Sequence, residues 1–469
     1  MYRGKSTGFP QRFTYPHASP YLEWLIPLCG GRKRSHVTIS HIREDVKRFN
    51  RGVLPQPDDP DLKEAIRRTA LAFKLPRTVK MLHLNDVFKQ KDLQIWSSSP
   101  GLPWTYHGYK TKADIRDDPS AIQRVRWFWH RIKAGEDLSL GDCCAFVRSH
   151  LVKQDENKVR AVWGYPATVT FGEAIFALPL IEAYQEADAP FAYGFETGCG
   201  GNKRIYRTFK GKHFLGVDFT MFDKLLPKWI IDIAFDILAI NVDFGNYQDY
   251  GIARFDSMVR VFHCLRDYCV KTKIRLCNGE RFEKKVGLAS GSYFTQLIGG
   301  ICNYLLLTYS SIKNNVRIVD IRVLGDDSII GTDKVLSIHD VARALEPLGM
   351  EVNTEKSSAS DYISNIKFLG YQINDGKPTR DRDRAIAGLV YPERPDRDWD
   401  DVASRALGIY HANFGVDEVV DAVCRSIIEK RPFNIQFSRD QQRFFWIHRI
   451  EVDETLPTMY DFMRRLNVI

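Results

Sequence analysis

The chain has 469 residues, 44% of them hydrophobic and 12% aromatic. It can therefore bury several cores, and roughly two to four domains or subdomains are expected. Its net charge is +9, from 67 Lys and Arg against 58 Asp and Glu, an excess that permits a polyanionic partner without demanding one. Nine cysteines form no CxxC pair, and the adjacent Cys143 and Cys144 suit neither a zinc cluster nor a simple disulfide. The N-terminal MYRGKSTGFPQRF is polar and aromatic rather than a hydrophobic leader, so a reducing, cytosolic setting is expected. The most apolar run, around Leu305–Leu307, is interrupted by Asn303 and too short to cross a bilayer, so no membrane partner is expected.

Residues 1–60 are rich in Pro, Gly and Arg and read as an irregular arm over the surface. Asp61 is the expected cap of a helix whose apolar face is Leu62, Ile66, Ala70 and Phe73. Phe214–Phe219, FLGVDF, reads as a strand, after which Pro227 opens a helix through Trp229, Ile233 and Ile237. IRLC and ERFEKKV flank Asn278-Gly279, a strong hairpin signal. A helix is expected from about Phe294 to Ser310, then two strands, Val316–Leu324 and Ser328–Ile330, joined at Gly325-Asp326. Ser337 with Asp340 resembles a capping box, and Gly349 is the expected stop of the helix that follows. The last ninety or so residues read as helical, so helices stand apart from a mostly antiparallel sheet and the fold class is α+β.

Gly325-Asp326-Asp327 sits between the apolar runs IRVL and SIIG. A tight turn between two buried strands presents both carboxylates at its tip. Two neighbouring anions repel, and one resists ionisation unless a divalent cation neutralises them. Hard oxygen ligands suit Mg²⁺ or Mn²⁺. On its own, such a motif is more often an Asp-rich hairpin turn. Asp218, near the end of a separate strand, changes that reading. A two-ion site for nucleotidyl transfer needs carboxylates from more than one strand, clamping ions about 4 Å apart. Asp223, five residues on, could read a ribose or could simply begin a helix.

With these residues in view, the sequence resembles viral RNA-dependent RNA polymerases, most closely the short ones of partitiviruses, which are segmented double-stranded RNA viruses. The resemblance spans about Ser97 to Ile373 and consists of seven motifs in the family's order. Motif A resembles Asp218 to Asp223 and motif C resembles Gly325-Asp326-Asp327. Motif B resembles Ser290-Gly291-Ser292-Tyr293-Phe294-Thr295, a Ser-Gly turn opening a helix. Many relatives carry Asn four residues after that Thr. This chain has Gly299 there and Asn303 one turn further, leaving Asn303 either to read the ribose or to satisfy a helix contact. Motif F resembles Arg148 through Arg160, whose Lys153, Lys158 and Arg160 would meet the triphosphate. Motif G resembles Ser99-Pro100-Gly101-Leu102-Pro103-Trp104, a turn steering the template, with Ser99, Gly101 and Pro103 as its contacts. Motif D resembles GMEVNTEKS, with Lys356 matched to the proton donor for pyrophosphate. Motif E resembles FLGYQI, placing Phe368 at the primer strand.

The resemblance implies a right-hand architecture: an N-terminal arm (1–60), fingers (61–205), a first palm segment (206–240), a fingers insertion (241–285), a second palm segment (286–375) and a thumb (376–469). It implies template-directed transfer from NTPs to an RNA 3′ end, with two Mg²⁺ or Mn²⁺ ions on Asp218, Asp326 and Asp327. It further implies RNA template and nascent RNA as partners, association with a viral capsid protein, and a place in the virion within the host cytoplasm. Two rivals remain. A reverse transcriptase usually has an aromatic residue where Asp223 stands and an aromatic before the paired aspartates, where this chain has Leu324. A non-enzymatic RNA-binding relic is hard to reconcile with three retained carboxylates and a basic loop.

Overall fold

The computed structural model describes residues 17–91, 93–452 and 455–469. The N-terminal tridecapeptide, read above as lacking a leader, lies outside these residues.

The organising element is a four-stranded sheet in the order Ile318–Leu324, Asp327–Thr332, His213–Gly216, Ser358–Ser360, with every neighbouring pair antiparallel. Helix Phe294–Lys313 packs against it and against helix Pro60–Ala72. A second four-stranded sheet holds Val159–Gly164, Cys143–Ser149, Lys273–Arg275 and Arg281–Glu283, with one parallel pairing between Cys143–Ser149 and Lys273–Arg275. The last two strands are the hairpin expected at Asn278-Gly279. Helices Arg382–Val390, Trp399–Asn413, Glu418–Ile428, Arg439–Ile447 and Met459–Arg465 fill the C-terminal stretch, which is helical as its composition suggests. Helices mixed with mostly antiparallel sheets make the fold α+β.

Several local expectations shift by a few residues for identifiable reasons. The cap of helix Pro60–Ala72 is Asp59, not Asp61: its side chain accepts the Asp61 N–H, and Pro60 takes the first helical position, where no N–H is needed. Asp59 also receives the Tyr309 hydroxyl (2.8 Å) and Lys313 (2.9 Å). The strand in FLGVDF is His213–Gly216; the chain leaves the ladder before Asp218 and touches it once more at Phe219 opposite Val352. Helix Phe294–Lys313 runs three residues past the expected end. Ser337 caps helix Ile338–Leu345 by accepting the Asp340 N–H, and a 3₁₀ turn intervenes before Gly349.

Two larger differences concern the first sixty residues and the apolar segments. The described part of the arm is not irregular throughout. Leu22, Leu25 and Cys29 enter the C-terminal helical core, while helix Ile39–Lys47 buries Ile42 and Val46 in the main core. Its apolar residues are too widely spaced in sequence to register as one pattern. Among the described residues one helix, Ala167–Glu186, is long and apolar enough to cross a membrane. It is instead the central core helix, contacting strand Val79–Met81 and helix Phe255–Val270, and 72% of its most apolar stretch is buried inside the protein. All nine cysteines are free thiols.

Candidate active site

The register of the central sheet brings the acidic residues together. Leu215 pairs with Ile330 across antiparallel strands. Beyond that pair the ladder ends, but the Ser328 hydroxyl donates to Val217 O (3.4 Å), and Asp218, the next residue, lies close enough to act on both Asp326 and Asp327. Leu324 pairs with Asp327, so Gly325 and Asp326 are the two-residue tip of the neighbouring hairpin, with Gly325 at φ +62°. Asp218 is braced by its backbone: its N–H donates to Ser357 Oγ (2.9 Å) and its carbonyl accepts the Asn353 N–H (2.8 Å).

All three residues are exposed to solvent, yet desolvation by the protein around them acts on each carboxylate. Burial pushes Asp327 up to about 7, and Asp326 and Asp218 add to the rise. Burial raises Asp326 as well; Arg160 opposes this, while Asp223 and Asp218 reinforce it. Asp218 is also raised by burial, against the pull of Lys356, Lys158 and Arg160. Mutual repulsion among carboxylates from two segments is relieved by a hard divalent cation, so the donor chemistry fits Mg²⁺ or Mn²⁺. Among the described residues no three or more His, Cys, Asp or Glu side chains close around a single point. The carboxylates therefore form an open set.

Cations line the facing side. Lys158 and Arg160 bracket the start of strand Val159–Gly164, and Lys158 is lowered by burial with help from Arg160 and Lys356. His150 is driven down to about 3, chiefly by burial and then by Arg160, Lys158 and Arg148. Lys153 stands apart: it is exposed, ends the strand paired with Arg32–Arg34, and is not among the cations acting on Asp218 or Asp326.

The Ser290–Thr295 turn is held from outside its own segment. Gly291 has φ +114°, and a Cβ there would stand 2.1 Å from Trp163 O. The Thr295 hydroxyl donates to Ala289 O within the turn. Glu173, fully buried in helix Ala167–Glu186, accepts from Ser292 Oγ (2.7 Å) and the Tyr293 N–H (3.0 Å). The Ser99–Trp104 turn is fastened nearby. Lys112 Nζ donates to Ser98 Oγ (3.0 Å) and Ser99 O (2.7 Å), Ala167 N donates to Pro100 O, and a Cβ on Gly101 would meet Tyr165 O. Pro103 closes this turn into the short 3₁₀ helix Trp104–His107. Segment 163–168 thus packs against both turns. Neither Glu173 nor Lys112 stood out in the sequence: Glu173 is one of three Glu in its helix, and nothing in its neighbours along the chain marks it.

Two of the motif residues turn inward. Asn303 is fully buried, and its amide donates to Gly325 O (3.1 Å) and Asp327 O (3.3 Å), so it holds the acidic turn from behind rather than facing a ribose. Gly299 explains the spacing, since a Cβ there would sit 3.2 Å from Gly325 Cα and leave no room for a longer side chain. Phe368 is 3% exposed and packs with Phe214, Ile329, Ile366 and Ile373, so it is a core residue and not a surface grip for RNA. Its short hairpin pairs Phe368 with Tyr371, turning both rings inward.

Comparison with known proteins agrees with this geometry. The chain is similar to the RNA-directed RNA polymerase of Atkinsonella hypoxylon virus (26% identical over 329 residues, covering 60% of this chain and 49% of the relative). It is similar to that of Cryptosporidium parvum virus 1 (27% over 371 residues, 72% and 67%) and of White clover cryptic virus 1 (23% over 288 residues, 56% and 47%). The aligned region spans about half the length of the first and third relatives and two thirds of the second. The family described as viral RNA-dependent RNA polymerase matches residues 14–428, which include the acidic hairpin, Asp218, the basic strand and both buttressed turns. This chain belongs to the viral RNA-dependent RNA polymerase family.

Proposed function

We propose that this chain copies RNA from an RNA template, transferring nucleoside monophosphate from NTPs to a growing 3′ end during replication and transcription of a viral genome. One observation carries the reading: carboxylates from two distant segments, Asp218 and Asp326-Asp327, meet at one sheet end, with Lys158, Arg160 and Lys356 acting on Asp218.

Asp218, Asp326 and Asp327 are the residues that would hold two Mg²⁺ or Mn²⁺ ions, which when bound acidify the attacking 3′-hydroxyl and offset charge on the triphosphate. Lys158 and Arg160 bind the phosphates, the ammonium as a point charge and the guanidinium as a planar fork. Lys356 gives a proton to the departing pyrophosphate. Asp223 accepts from the ribose 2′-hydroxyl, which favours rNTPs over dNTPs. Ser290, Gly291 and Thr295 shape the turn beside the incoming nucleotide, and Ser99, Gly101 and Pro103 shape the turn along the template. Among the expected phosphate ligands, Lys153 has the least support.

The subdivision into arm, fingers, palm and thumb, with the boundaries given above, is part of this reading. So are the short, partitivirus-like character of the polymerase, a capsid protein partner, and a place in the virion in the host cytoplasm. Its test is an assay of the purified chain with single-stranded RNA, four NTPs and Mg²⁺ or Mn²⁺, expected to yield labelled double-stranded RNA. Asp326→Ala should abolish incorporation while fold and RNA binding persist. A variant extending RNA at the wild-type rate would remove Asp326 from the reaction, and a preference for dNTPs would point to reverse transcription.

A further inference from the structure

We propose that Lys224 and Asp45 are positioning residues for sugar selection: a buried ion-paired chain runs from the phosphate-binding strand to Asp223 and fixes which carboxylate oxygen faces the ribose. The inference rests on the reading of Asp223 as the ribose acceptor and extends it to two residues outside the seven motifs' expected contacts.

Lys224 is 3% exposed, and its Nζ lies 3.1 Å from Asp223 Oδ2 and 3.2 Å from Asp45 Oδ1. Its ammonium also sits over the Phe49 ring, 5.3 Å from the centroid, so apolar surface closes one side of it. Asp45, itself 3% exposed, comes from helix Ile39–Lys47 in the N-terminal segment. Its second oxygen accepts the Ala161 N–H at 2.8 Å, immediately after Arg160. Arg48, half exposed, lies 3.8 Å from Asp45 Oδ1, and Lys158 is near enough to feel the Lys224 charge. Three segments far apart in sequence are thus joined: the N-terminal helix, the strand carrying Lys158 and Arg160, and the residue after the ribose acceptor.

A buried ammonium keeps its charge only with carboxylates against it, and a buried carboxylate needs its donors in turn. Lys224 therefore has little freedom to leave either aspartate. Because it takes Asp223 Oδ2, that side chain is locked in one orientation, and Oδ1 has no protein donor among the described residues. Oδ1 is the atom left to accept a 2′-hydroxyl. The Asp45 bond to Ala161 ties the same frame to the cations that would hold the triphosphate. Phosphate grip and sugar reading then share one rigid support, in which a small rotation of Asp223 would weaken the ribose bond and leave phosphate binding intact.

The test compares rNTP with 2′-dNTP in single-nucleotide incorporation on an RNA template with Mg²⁺, using wild type, Asp223→Ala, Lys224→Gln, Lys224→Arg and the double variant Asp45→Asn with Lys224→Gln. Loss of one well-placed hydrogen bond corresponds to a fall of about three- to tenfold in the rNTP/dNTP ratio of kcat/KM. Lys224→Gln should show that fall as a raised KM for rNTP, with dNTP KM steady, and Lys224→Arg should keep most of the ratio. If Lys224→Gln does not fold because Asp45 is left buried and unpaired, the double variant carries the test: Asn still accepts from Ala161, and no lone charge remains. A double variant with the wild-type ratio, beside an Asp223→Ala protein that has lost it, overturns the positioning role and leaves Asp223 as the sugar reader. An Asp223→Ala protein with an unchanged ratio overturns the ribose reading itself, and this inference with it.

Discussion

Glu173→Gln probes the buttress behind the Ser290–Thr295 turn through the pH dependence of stability. The Glu173 carboxyl faces Lys112 from helix Lys112–Arg116, Cys143 from strand Cys143–Ser149, Tyr268 and Cys269 from helix Phe255–Val270, and Tyr165 and Tyr293 from the flanking turns. Burial lifts it from 4.5 to about 7, against the bonds from Ser292 and Tyr293 and the charge of Lys112. Between those two pH values the unfolded chain gives up a proton that the folded chain keeps. The contribution of this carboxyl is therefore fully present below its unfolded pKa and is lost as the pH climbs through 7. At about 1.4 kcal/mol per pH unit, the gap amounts to about 3 kcal/mol. Lys112, lowered by burial to about 8, exchanges its proton above this window. His150 and His448, pushed down to about 3 and about 4, act in the opposite direction below 6.5, but both proteins share them. The difference between wild type and Glu173→Gln cancels these shared contributions and reports the carboxyl together with its coupling to Lys112. Denaturant midpoints taken from about pH 5 to about pH 8 should show that difference falling by about 3 kcal/mol. Parallel curves for the two proteins would mean that Glu173 is ionised throughout, and the buttress would have to be redrawn.

Gly291→Ala puts a Cβ 2.1 Å from Trp163 O at a φ of +114°. The turn must move, at a cost of about 2 kcal/mol or more, and template-dependent incorporation should fall at least about tenfold with little loss of secondary structure by circular dichroism. Asn303→Ala removes both donors to the carbonyls of Gly325 and Asp327. Stability should drop by about 2 kcal/mol, and kcat should fall with NTP KM nearly unchanged, because the residue supports the acidic turn without touching sugar. A raised KM confined to rNTPs would instead return Asn303 to the sugar.

The sequence by itself determined the pieces whose causes are local. Asn278-Gly279 makes its hairpin because Gly279 takes a positive φ; Ser337 begins its helix because a hydroxyl caps a free N–H; Gly325-Asp326 turns between two apolar runs. From these, with Asp218 and the order of the motifs, the fold class and the acidic cluster were legible. Only the tertiary structure decided which side chains serve other segments. Asp59 rather than Asp61 is the cap, and the Tyr309 hydroxyl reaches it while Lys313 reaches both; Asn303 turned to the back of the acidic hairpin because Gly299 lets the helix press against it; Phe368 went inward with its neighbours. Glu173, Asp45 and Lys224 carry no local mark at all. Turn and helix preferences depend on residues a few positions apart. The worth of a buried charge depends on partners more than a hundred positions away, which no window along the chain contains.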